Sequence, residues 1–204
     1  MAWDEWAYSR KTEAAAWIET IKEDCIRESQ HTGIYPSVMI AMTVLESYAG
    51  TSNLAVNHYN FLGMTMPEHL VGKVAVFWDG SAYRRANYIS NRSWADYTQA
   101  GDFRAGFVLC LRHYGMNFWA TEAYEENGVL SHVSSGLSPA EAVKDAKLQL
   151  GQLVPIFAPE FDNNVGYEDE ILSIIELYDL WKVDEAFLSR GGWNGVSHYP
   201  LPKK

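Results

Sequence analysis

The chain has little of what disulfide-built or metal-built proteins rely on. Its 204 residues hold two cysteines, Cys25 and Cys110, spaced neither as a zinc site nor as a redox pair. Both fall inside apolar, helical-looking patterns, so buried free thiols are expected. Six histidines are scattered and none forms a His-x-x-x-His pair, which leaves no reason to expect a protein-built metal site or any other cofactor. Positive charge is scarce: 16 Lys and Arg face 26 Asp and Glu, for a net charge of −10. That balance removes the basic surface on which nucleic-acid binding depends, and disfavours a membrane-surface role in the same way. Long hydrophobic runs are missing too. The stretch "VMIAMTVL" is far too short to span a bilayer, and the opening "MAWDEWAYSRK" lacks the basic-then-apolar order of a signal peptide. The expectation is synthesis in the cytoplasm, with another route outward if the target lies outside the cell.

What is present is a globular composition, 48% hydrophobic and 21% charged, long enough to bury a sizeable core. Ala14, Ile18, Ile21 and Cys25 recur at helical spacing between acidic and basic residues, predicting an amphipathic helix that stops near "HTGIYP". Pro36 suits the first turn of a second helix running to about Glu46. Its apolar content all round (Val38, Met39, Ile40, Met42, Val44, Leu45) predicts a central helix with others packed about it. "KVAVFWDGSAYRRANYI" is β-branched and aromatic around a DG turn signal, predicting a hairpin over about 73–88. Helical patterns resume at "RSWADYTQA", "FRAGFVLCLRHYG" and around "WATEAYEENGVLSHV". "SPAEAVKDAKLQL" opens with a capping box and a proline, and "GYEDEILSIIELYDLW" carries a last apolar stripe through Ile171, Ile174, Ile175 and Tyr178. The predicted fold is mainly α (α+β): one domain over 1–186 with a small hairpin lobe and a cleft beside it, then an extended tail over 187–204.

Glu46 stands out because a carboxylate ends an apolar helix. It faces the negative pole of the helix dipole, where a purely structural choice would favour lysine. The plain reading is a solvated surface charge. The chemical reading is that apolar surroundings disfavour the charged form and raise the pKa, leaving an acid able to protonate a departing sugar oxygen. Pattern alone leaves both open.

The segments "TGIYPSVMIAMTVLES", "GTSNLA" and "YNFLGM", followed by "RRANYISNRSWADYTQ" and "YEDEILSIIELYDL", together resemble the endo-β-N-acetylglucosaminidases that digest peptidoglycan, of the autolysin and flagellar-muramidase type. The resemblance runs from about residue 15 to 182 with its segments in order. It implies a lysozyme-like fold, an α lobe and a small β-hairpin lobe flanking a groove, with peptidoglycan glycan strands as the partner and Glu46 as proton donor. Tyr167 takes the place of a cleft-facing tyrosine, although a helix-start aromatic that merely packs would read the same way. The sequence departs from the family at Tyr48 and Ala49, where a glycine and then an aromatic are usual, at Leu62 and at Thr65. The hairpin also lacks the glutamate that the family often carries there. Asp79 is its only acid and so the candidate second carboxylate, yet Asp before Gly is also what a tight turn wants; Glu68 is a nearby surface charge. Without a dedicated base the substrate's own acetamido group can serve. Tyr59, Asn60, Phe61, Trp78 and Tyr83 are placed to line a groove, since sugar faces stack on aromatic rings.

The leading expectation is therefore cleavage after N-acetylglucosamine. The same fold and acid would serve a muramidase or a lytic transglycosylase, and a shell without activity would serve as a wall-binding or phage structural module. A missing leader and an acidic surface favour a phage lysin or virion component. Oligomeric state is not encoded in any pattern here.

Overall fold

The structure, a computed structural model, describes residues 10–32, 34–65, 71–72, 74–78, 83–87, 89–91, 94–119 and 167–192. Helix α1 (Lys11–Thr32) leads into α2 (Pro36–Ser47) and the short α3 (Asn53–His58). Four strands follow, β1 (Val74–Trp78), β2 (Tyr83–Asn87), β3 (Ile89–Asn91) and β4 (Trp94–Asp96), as two antiparallel pairs. A 3-10 turn (Thr98–Ala100), α4 (Phe103–Trp119), α5 (Tyr167–Leu177) and α6 (Trp181–Ser189) complete the described elements. No helix among the described residues is long and apolar enough to cross a membrane.

The apolar all-round pattern of α2 has the consequence expected of it. Ten of its twelve residues are buried, with α1, α5 and α6 packed against it. Each fully buried Val or Ile contributes roughly 1.5–3 kcal/mol, so Val38, Ile40 and Val44, all 0% exposed, anchor the helix firmly. From α5, the stripe of Ile171, Ile174 and Ile175 enters the same core.

Pro36 sits in the first turn of α2, where its missing N–H costs nothing. The N-cap residue, Tyr35, supplies no side-chain acceptor. That role falls to Asp184 of α6, whose Oδ1 accepts from the Ser37 backbone N–H at 2.9 Å. Asp184 is fully buried and its Oδ2 has no partner among the described residues. Burial pushes its carboxyl up to about 7, against a smaller opposing effect of the bonds from Ser37.

Polar links join α1 to α4. Asp24 accepts from Arg104 at 2.9 and 3.0 Å and from Arg27, while Arg112 donates to the buried Glu28 at 2.9 Å. The two cysteines are buried free thiols, as expected. Burial pushes the Cys110 thiol up to about 12 and that of Cys25 well above its ordinary range, so both keep their protons.

The hairpin lies where the β-branched run predicts it, but its paired ends are Trp78 and Tyr83. Four residues, 79–82, therefore connect the strands rather than a two-residue DG turn. The helix expected from "RSWADYTQA" is not formed. Ala95 instead donates its N–H to Met64 O at 2.9 Å from within β4, and Asp96 Oδ1 accepts from both the N–H and the hydroxyl of Thr98 at 2.9 and 2.6 Å. An aspartate that satisfies the backbone two residues on offers a turn in place of a helix. The last predicted helix is two: α5 ends at Leu177, Asp179 takes a positive φ of 52°, and α6 begins at Trp181. Phe187, the first residue of the expected tail, is fully buried on α6. The helical patterns expected between residues 120 and 150 lie outside the described residues.

The raised carboxyl of Asp184 carries a stability consequence with a definite sign. Its folded-state value lies above the ordinary carboxylate value, so its contribution is complete below about pH 4 and is lost as pH rises through about 7. Asp184→Asn keeps an oxygen for Ser37 and cannot ionise. Denaturant unfolding between pH 4 and 8 is expected to show the wild type losing up to about 4 kcal/mol that the variant retains; identical pH dependence in the two would contradict the assignment.

Candidate active site

Glu46 is the eleventh residue of α2, at the end of a helix that is otherwise enclosed. Its side chain remains reachable by solvent, yet burial is the largest influence on its carboxyl and raises it above the ordinary value of 4.5. The side chain is thus open to solvent on one side and crowded by protein on the other. Two further groups act on it: the Tyr167 hydroxyl, at the start of α5, donates to Glu46 Oε1 at 3.0 Å and lowers the value, and the charge of Glu170 raises it. Burial holds the Tyr167 phenol well above its ordinary range, and the Glu46 charge adds to this, so the hydroxyl remains a donor.

The residues after Glu46 fasten it. Ser47 donates from Oγ to Thr43 O and accepts at the same oxygen from the Gly50 N–H at 2.7 Å. Its carbonyl accepts from the N–H groups of Thr51 and Ser52 at 3.0 and 2.9 Å. The Ser52 hydroxyl caps α3, accepting from Ala55 N at 3.2 Å. Three consecutive residues, Tyr48, Ala49 and Gly50, have φ of 50°, 52° and 77°. Only Gly50 takes this conformation freely, and a Cβ there would lie 2.6 Å from the Trp17 ring. Tyr48 and Ala49 cost about 1–2 kcal/mol each in the left-handed region, which the burial of α2 outweighs. A glycine at position 48, which the resembling family usually has, would avoid the first of these costs. Thus "ESYAGTSNLA" is a clamp around one carboxylate.

Two residues expected to line the groove do not. Asn60 is 1% exposed; its Nδ2 donates to Met64 O at 2.9 Å and Ala95 O at 3.0 Å, and its Oδ1 accepts from Met64 N. The amide stitches the loop after α3 to β4, both its N–H groups are used, and its burial keeps it from a sugar. Phe61 is fully buried, with ring centroids 5.4 Å from Trp17, 5.3 Å from Phe103 and 5.1 Å from Phe107. An aromatic in the loop after a short helix reads alike in sequence whether it turns inward or outward, and here the cluster of three rings on α1 and α4 draws it in. Tyr59 is half-buried, caps α3 with a φ of 49° and lies against Gly106 and Phe103. Trp78 and Tyr83 are Cα partners at the hairpin's paired end. Asp79 and Glu68 lie outside the described residues. Glu170, which sequence reasoning passed over, was hidden among three consecutive acids, Glu168, Asp169 and Glu170, of a kind that helix N-termini favour anyway.

Compared with known families, residues 22–180 match the Glucosaminidase family, described as mannosyl-glycoprotein endo-β-N-acetylglucosaminidase. The chain belongs to the glucosaminidase family. Among solved structures it is similar to the catalytic domain of the autolysin Auto from Listeria monocytogenes, at 19% identity and a TM-score of 0.52, covering 84% of this chain and 88% of that one. It is also similar to an N-acetylmuramoyl-L-alanine amidase from Staphylococcus aureus, at 23% identity and a TM-score of 0.54, covering 92% of this chain and 49% of that one. No curated protein matches. Membership makes the chain a glycoside hydrolase of the endo-β-N-acetylglucosaminidase type, and the mainly α, lysozyme-like fold agrees with the structural likeness. The glucosaminidase match spans α2 and α5, the two helices that bring Glu46 and Tyr167 together.

The hydrogen bond from Tyr167 favours the ionised form of Glu46 while fixing its direction. Tyr167→Phe is expected to lower the maximal hydrolysis rate on the order of 10- to 100-fold through lost orientation. It should also move the alkaline limb of the pH–rate profile upward, because the acid then holds its proton more tightly. An unaltered profile and rate would show that the bond has no part in turnover.

Proposed function

We propose that this glucosaminidase hydrolyses the glycan strands of peptidoglycan on the reducing side of N-acetylglucosamine, with Glu46 as the general acid. The observation that carries this reading is the placement of Glu46: a carboxyl at the open end of a buried helix, desolvated and aimed by a phenol hydroxyl. An acid raised toward neutrality is what the leaving glycosidic oxygen requires, since it must gain a proton as its bond to C1 breaks. The peptidoglycan assignment draws support from the wall-related names of the two structural neighbours.

In the step proposed, Glu46 gives its proton to the glycosidic oxygen while the C1–O bond opens. The acetamido oxygen of the same N-acetylglucosamine closes on C1 from the opposite face. Water then attacks C1, the ring opens back to the acetamide, and the water's proton returns to Glu46. No second protein carboxylate is needed for the bond changes, which suits a hairpin whose only acid is Asp79. Should Asp79 act instead as base, its removal would be as damaging as that of Glu46.

Purified sacculi treated with wild type and with Glu46→Gln provide the test, with the released ends identified by mass spectrometry. The wild type is expected to release reducing N-acetylglucosamine ends, and the variant to be slower by about 10²–10⁴-fold. Muramic or anhydro-muramic ends would assign the chain to muramidase or transglycosylase chemistry. Sacculi bound equally by both proteins and cleaved by neither would make it a binding module.

A further inference from the structure

Helix α2 comes to the surface at one end. Residues 36–44 are all buried and Leu45 is half-buried. The exposed positions are Glu46 and, one residue past the buried Ser47, Tyr48. Two residues of chain span at most about 7 Å, so Glu46 and Tyr48 open onto the same patch of surface.

A single exposed aromatic is ordinary and by itself calls for no explanation. The backbone of Tyr48 is not ordinary. Its φ of 50° and ψ of 53° are left-handed, where Cβ crowds the following carbonyl and glycine or asparagine is the usual choice. Among the described residues, three others that are not glycine take positive φ, and each has a local account. Ala49 is small and buried, Tyr59 is half-buried and meets Phe103 edge-on at 6.0 Å, and Asp179 is of a type that tolerates the conformation. Tyr48 is the one of the four that leaves a large ring mostly in solvent, at 53% exposure, so packing offsets little of the crowding. Its backbone is nonetheless held. Tyr48 N–H donates to Val44 O, and Tyr48 O accepts from Thr51 Oγ1 at 2.7 Å and Thr51 N at 3.3 Å. Trp17 lies against Gly50 and closes the inner side of the same loop.

We propose that Tyr48 is a sugar-stacking residue of this active site, holding the apolar face of a glycan-strand pyranose ring beside the bond that Glu46 protonates. The proposal rests on Glu46 being the acid. A glycosidic oxygen in hydrogen-bonding reach of Glu46, about 2.6–3.2 Å, brings the sugars on either side of it over the end of α2, where Tyr48 emerges. A pyranose presents C–H bonds on its faces and hydroxyls at its rim. A tyrosine ring matches the first with apolar area and the second with the hydroxyl at its tip. A platform held in place before substrate arrives loses little freedom on binding, and backbone strain beside a reacting group is where such a role is to be sought. The other large apolar side chains exposed among the described residues, Val56, Val71 and Trp94, lie on α3, ahead of β1 and on β4, away from the end of α2.

The test uses peptide-free glycan strands of peptidoglycan with the wild type, Tyr48→Phe, Tyr48→Trp, Tyr48→Ala and Tyr48→Gly, with the thermal unfolding of each recorded. Tyr48→Gly removes the crowding and is expected to unfold at or above the wild-type temperature. Despite this, KM is expected to rise roughly 5- to 20-fold in both Ala and Gly, with kcat within about twofold and the pH–rate profile unmoved. Phe and Trp, which keep a ring, are expected to hold KM near the wild-type value. Binding of the same strands to Glu46→Gln, with and without Tyr48→Ala, is expected to weaken by the same factor, a readout that needs no turnover. An unchanged KM in Ala and Gly overturns the proposal and leaves Tyr48 a tolerated helix cap. A loss confined to Gly also overturns it, tracing the effect to a loosened backbone, as does a fall in kcat or a displaced pH profile at constant KM, which would make Tyr48 a support for Glu46. An active Glu46→Gln would show that the acid is misassigned; an inert one, beside Tyr48 variants that match the wild type, would sink the present inference alone.

Discussion

The site depends on one constraint: a helix buried on nearly every side must end somewhere, and this one ends at a carboxylate. Core burial of Val38, Ile40 and Val44 fixes α2 with an energy that a few kcal/mol of backbone strain cannot disturb. The two left-handed residues beyond it, Tyr48 and Ala49, draw on that reserve. In return the helix stops at Ser47, so Glu46 is left at its open end instead of being enclosed by another turn. Strain of this kind, adjacent to the proposed acid and held by burial elsewhere, is a recurring arrangement in active sites.

The second element of the design is that polar groups near the site are spent on structure. Ser47, Ser52 and Asn60 bond to backbone, and Phe61 belongs to a ring cluster shared by α1 and α4. Among the described residues, the side chain that bonds to Glu46 comes from α5, more than a hundred residues later in the chain. The acid is therefore set by two rigid helices, each locked by its own apolar stripe, and the loops fix the backbone between them. Precision at a catalytic group is best supplied in this way, because helices held in a core move less than loops do.

Much of this was legible in the sequence, and the residues show why the rest was not. The uniform apolarity of α2, the helical spacing in α1, and the β-branched run of the hairpin are periodic signals that survive without tertiary context. Glu46 and Tyr167 were readable as a pair only through the resemblance, since nothing in local pattern joins residues 46 and 167. Asn60 and Phe61 were misread as groove residues because the partners that engage them, Ala95 and the rings of Trp17 and Phe107, lie far off in sequence. "RSWADYTQA" read as helix because side-chain turns by Asp96 and pairing by Ala95 are decided by neighbours and not by propensity. Glu170 escaped for the opposite reason: its local explanation, an acid at a helix start, was sufficient and concealed a tertiary one.

The central claim is that Glu46 holds a proton beyond the range of an ordinary glutamate. Its direct measurement is a carbon-13 NMR titration of side-chain carboxyl carbons in uniformly glutamate-labelled protein, with the Glu46 signal assigned by its disappearance in Glu46→Gln. The account predicts a midpoint above the ordinary value of 4.5. A midpoint at or below that value would contradict it.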